Sequence, residues 1–149
     1  MAKKSRRQPA RRNSSSGPCA GKPVCGSNPA AALASLQSAQ ELNSLIPAFV
    51  CWHWEHGILP DLVVVLKQLT AFFPIYAEIS GAAAVTAMDP GLVAEYVEFL
   101  NEHEAELASF SCAVLFEYMH FLRDTGRWSG TAESHQVLHG VLYHGILNE

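Results

Sequence analysis

Positive charge is what most of this sequence lacks. From residue 23 onward only Lys67, Arg123 and Arg127 are basic, against all 14 acidic residues, which leaves that stretch at −11. Such a field repels phosphate and anionic lipid, so recognition of either by the body of the chain is excluded. Long apolar runs are also missing, because Pro60, Lys67, Pro74 and Glu78 interrupt the longest ones. None reaches the roughly 18 uninterrupted apolar residues of a membrane span. The expectation is a soluble chain with no membrane partner.

The chemical signatures are equally sparse. There is no Cys-x-x-Cys pair, no His-Glu-x-x-His run and no Gly-x-Ser-x-Gly elbow. These gaps argue against a structural zinc site and a serine-hydrolase site. The Gly17 to Lys22 stretch has glycines near a lysine, yet Pro23 stands where a phosphate loop needs Ser or Thr, and no strand precedes it. Cys19 and Cys25 are separated by five residues, a spacing foreign to common zinc motifs, and Cys51 and Cys112 stand apart. No apolar leader of the secretory type opens the sequence, so the thiols are expected to be reduced in a cytoplasmic protein, or a nuclear one in a eukaryote. No cofactor is called for.

What is present divides into two parts. Residues 1–28 hold seven of the ten basic residues, six of them (Lys3, Lys4, Arg6, Arg7, Arg11 and Arg12) within one short stretch among Ser, Pro and Gly. With almost nothing to bury, this segment is expected to be a disordered tail. Its charge suits nucleic acid or another polyanion, bound without sequence preference and with strong salt dependence. Residues 29–149 carry the folding information.

That second part reads as all-α, an irregular bundle of five or six helices. Asn28-Pro29 marks a helix start, and Pro47 ends that helix or opens the next. The Cys51 to His56 segment fits a helix and also alternates with period two. From Pro60, Leu62, Val65, Leu66, Leu69, Phe72, Phe73, Tyr76 and Ile79 follow helical spacing, with Pro74 as a kink or break. Asp89-Pro90 starts a helix whose apolar face runs from Leu92 through Leu107. The next helix is expected from a Ser109 cap to about Asp124, with Gly126 beyond it. Apolar residues surround its axis, which makes it the central helix. A last helix runs from about Thr131 to Leu147.

Candidate functional residues fall into four groups. Glu95, Glu98, Glu102 and Glu106 lie within roughly 80° of arc on one helix, either a solvated face or a docking strip for a basic partner. Glu117 and His120, at i and i+3, form a core ion pair or the seed of a catalytic or metal site. His53 with His56, and His135 with His139, are the pairs whose spacing suits metal ligation, although no complete ligand set is legible. Among the three tryptophans, Trp128 beside Arg127 has the composition of an interface hot spot, or else folds over a helix end. The combined expectation is a non-enzymatic interaction or regulatory protein, with a helical domain that binds a protein partner and a tail that contacts a polyanion. The alternative is a helical metal-binding protein or enzyme built on the Glu and His residues.

Overall fold

The computed structural model describes residues 29–147. The expected tail, with its six clustered Lys and Arg side chains, lies outside the described residues, as do Asn148 and Glu149. Five α-helices account for the described part: α1 (Pro29–His56), α2 (Leu62–Ser80), α3 (Pro90–His103), α4 (Ala105–Asp124) and α5 (Ala132–Leu147). No strand occurs among the described residues, so the period-two pattern at Cys51 to His56 belongs to the end of a helix.

Local chemistry explains most boundaries. Asp61 starts α2, its Oδ1 accepting from the Val64 N–H, and Asp89 starts α3, accepting from the N–H groups of Gly91 and Leu92. Thr131 Oγ1 accepts from Ser134 N at the start of α5. Each bond satisfies a donor that the first helical turn leaves without an intrahelical partner. Gly81 closes α2 at φ 74°, a left-handed backbone that disfavours any side chain, and Gly126 after α4 has φ 70°.

Three boundaries differ from the sequence reading. Pro47 neither ends nor opens a helix, because α1 continues through it, and α2 likewise continues through Pro74. A proline deprives the carbonyl four residues earlier of its donor. Those carbonyls belong to Asn43 and Thr70, both exposed, so water can serve them and the helices persist. The third difference lies at Glu104, whose φ of −148° and ψ of 82° break the chain between α3 and α4. Glu106 and Leu107 therefore belong to α4. Ser109 is not a cap, since it sits inside α4 and its hydroxyl donates to Ile146 O on α5.

α4 packs against all four other helices, α1 and α2 pair side by side, and α3 and α5 pack on each other and on α4. Half of its 20 residues are buried, including Ser111 and Glu117. The aromatic core forms around it: Phe49 from α1, Phe73 from α2, and Tyr118 and Phe121 from α4 lie with ring centres 5.2 to 6.0 Å apart. Two tyrosines tie the α2–α3 connection to this core. Tyr118 donates its hydroxyl hydrogen to Val85 O at 2.6 Å, and Tyr76 accepts from Asp89 N at 2.6 Å. By length and composition α2 alone among the described helices would suffice to cross a bilayer, and it buries Val65, Leu69, Phe72, Phe73, Tyr76 and Ala77 within the bundle.

Candidate functional site

α4 presents Glu117 and His120 only about 60° apart around its axis, yet they reach different neighbours. Glu117 turns toward the corner between α1 and α2. Its Oε2 accepts from the N–H groups of Ile58, at 2.7 Å, and Leu59, at 2.5 Å. Its Oε1 lies 3.5 Å from His53 Nε2, an electrostatic contact without a hydrogen bond at either atom. The carboxylate thus satisfies two backbone donors of the connection between α1 and α2, a task water performs at exposed corners.

Gly57 completes this corner. Its N–H donates to His53 O at 2.8 Å, and a Cβ at this position would run into the His53 ring. Only a residue without a side chain lets the chain turn so close to that imidazole. With Glu117 below and Gly57 against His53, the corner is fixed, and it holds two large apolar side chains in solvent: Trp54 at 87% and Ile58 at 84% exposure. These are the most exposed large apolar residues in the described chain. They belong to a wider pattern, because Leu33, Leu36, Val63, Val64, Ile75 and Ile79 on the same two helices are also exposed, against only Phe99, Val137, Tyr143 and Leu147 elsewhere. Residues 29–80 carry just five charges, Glu41, Glu55, Asp61, Lys67 and Glu78.

His120 turns the other way, toward α5. Its ring centre lies 4.5 Å from that of Phe116 and 5.4 Å from that of His139. Burial, then the charges of Arg123 and His139, lower its pKa below the ordinary histidine value. Among the described residues no hydrogen bond or ion pair links Glu117 to His120, so the expected core pair is replaced by two separate arrangements. His135 is buried under Trp128, with ring centres 4.9 Å apart, and its Nε2–H donates to Met119 O at 3.3 Å. Burial is the main cause that lowers its pKa. His139 instead has its ring contacts with Phe116, His120 and Tyr143. His53 lies beside Glu117, and His56 stacks on Trp52 at 5.6 Å between ring centres.

The glutamate stripe is divided. Glu95, Glu98 and Glu102 are exposed on α3, whereas Glu106 begins α4 beyond the break at Glu104. Among the described residues none of these four makes a salt bridge, the ion pairs being His53–Glu117 and Arg123–Asp124. Glu98 also borders an open groove of about 740 Å³ between α3 and α5, floored by Val97, Val141 and Gly145. Trp128 folds inward: its Nε1 donates to Thr131 O at 2.9 Å, while Arg127 lies exposed with its guanidinium 5.6 Å from the Phe121 ring centre. Trp52 is half-buried and donates to Asp124 Oδ2 at 3.1 Å. Among the described residues no group of three or more His, Cys, Asp or Glu side chains converges to hold a metal ion.

The corner residues that sequence reasoning passed over are Ile58 and Leu59, because a backbone N–H leaves no mark in the sequence. The one available signal was Gly57-Ile58-Leu59-Pro60, a turn that places apolar residues where polar ones are usual. No protein-family model, no curated protein and no solved structure matches this chain.

Proposed function

We propose that this chain is a non-enzymatic interaction protein whose helical domain docks a protein partner through the α1–α2 corner. The observation that carries the reading is the exposure of Trp54 and Ile58 on a corner braced from inside by Glu117. An exposed tryptophan beside an aliphatic residue, both on fixed backbone, has the composition and preorganisation of an interface hot spot. Scattered exposed apolar residues are ordinary, but α1, α2 and the connection between them expose eight large ones among few charges. The exposed charges nearest in sequence, Glu55 and Asp61, are both acidic. The partner that fits is an apolar cleft with basic residues on its rim.

The Glu117 carboxylate supports this reading over an enzymatic one. Its oxygens face two backbone N–H groups and His53, which gives the carboxylate a bracing role at the corner. The basic tail adds a second contact, with nucleic acid or another polyanion, since the described residues hold three basic against thirteen acidic side chains and would oppose one.

A photo-crosslinking residue at position 58, in the cell that makes the protein, tests the docking reading against the same residue at position 137 on α5. A discrete adduct from position 58 that disappears in Trp54→Ser supports it. Identical adducts from both positions, or none from 58, refute it. For the tail, electrophoretic shifts with DNA or RNA at low and high salt suffice, and equal binding by a chain lacking residues 1–28 refutes that part.

A further inference from the structure

We propose that His120 of α4 and His139 of α5 form a chelating site for a divalent transition cation of the Zn²⁺ or Ni²⁺ type. The inference is independent of the docking surface and rests on how the two imidazoles are placed. Their ring centres are 5.4 Å apart, and the ring planes cross at 61°. Two imidazoles that share one ion at a tetrahedral angle, with metal–nitrogen bonds near 2.1 Å, place their ring centres about 5 Å apart. The observed separation already has that value without any movement of the helices. Because the residues sit on different helices that pack against each other, the fold and not a flexible loop sets it.

Most of the other histidines have a partner that competes for a nitrogen. His135 donates to Met119 O, His53 faces Glu117, His103 Nδ1 donates to Phe99 O at 2.8 Å, and His56 Nδ1 meets Trp52 O at 3.4 Å. Neither His120 nor His139 makes a side-chain hydrogen bond among the described residues, where their close neighbours are rings. Phe116 lies under both, at 4.5 and 4.7 Å, and closes one side of the site with an apolar surface. Asp124, one turn beyond His120, lends negative charge, and Arg123 opposes it. Imidazole pairs suit ions of this softness, and water fills the positions the protein leaves open.

The test is titration of the full chain with Zn²⁺ and with Ni²⁺, followed by calorimetry. The wild type should show one site that weakens by about tenfold or more in His120→Ala and in His139→Ala, while His56→Ala and His144→Ala retain it. Because a variant can perturb the fold, the wild-type chain supplies a second readout. Substoichiometric Ni²⁺ should broaden the NMR signals of His120, His139, Phe116 and Tyr143 before any others. Retention of the site in His139→Ala, no site at all in the wild type, or broadening centred on other histidines each overturns the proposal.

Discussion

Replacing Glu117 by alanine removes one buried carboxylate from a helix and should loosen a corner on the far side of that contact. Two hydrogen bonds to a charged acceptor disappear, from Ile58 N and Leu59 N, and His53 Nε2 loses the carboxylate 3.5 Å away. Bonds of this kind contribute about 1.5 to 3 kcal/mol each, and breaking a buried pair costs about 3 to 5 kcal/mol in total. The two N–H groups are only part-buried, so water recovers some of the loss. A destabilisation of about 3 kcal/mol follows, which lowers the urea midpoint by about 1.5 M for a chain of this size. Glu117→Gln keeps one acceptor oxygen and should lose about half as much. Urea unfolding followed by circular dichroism measures both values, and amide exchange at Ile58 and Leu59 locates the effect. If the alanine variant unfolds within about 1 kcal/mol of wild type, or if those two amides exchange no faster, Glu117 does not brace the corner.

Gly145→Ala should destabilise by about 1 to 3 kcal/mol, because its Cβ would be driven into the buried Cys112 Sγ; combining it with Cys112→Ala should restore most of the loss in the same urea assay. Tyr118→Phe leaves the Val85 carbonyl without its buried donor and should cost about 1 to 2 kcal/mol, with little change in helical signal. Stability should also fall in mild acid. His120 and His135 have folded pKa values below the ordinary value, so the unfolded chain binds more protons as pH drops. Their contribution is complete above the unfolded value near 6.5 and is lost as pH falls through the folded one. Urea midpoints across this range should fall less steeply in His135→Gln, and an unchanged slope would refute the assignment.

The helices were legible where local chemistry decides. Asp61 and Asp89 announce themselves as caps, Gly126 as a stop, and the all-round apolar pattern of residues 110–122 identifies the central helix without any tertiary knowledge. The prolines misled because their cost depends on who serves the freed carbonyl, and that is a matter of exposure. Asn43 and Thr70 face water. The break at Glu104 was illegible for the opposite reason: no Gly or Pro lies between Gly91 and Gly126 to mark it, although α3 and α4 pack on each other across it. Among functional candidates, spacing placed residues on a helix face but could not name the neighbour each face meets. His139 shows this well. Its sequence partner at i−4, His135, faces Met119 and Trp128, and its spatial partner is His120, 19 positions earlier.

The same reasoning separates two effects that begin on one helix. Glu117 and His120 are three residues apart on α4, yet one holds the α1–α2 corner and the other faces α5. If the corner docks the partner, Glu117→Gln should weaken that binding although residue 117 is buried and touches no partner, because it fixes the backbone that presents Ile58. Preorganisation lost in the free protein appears as binding affinity lost, whatever the surface composition. His120→Ala should leave partner binding intact. The comparison needs only the crosslinking yield from position 58 in three chains. Equal loss in both variants would show that the yield follows global stability, and unchanged yield in Glu117→Gln would show that the corner docks its partner without the brace.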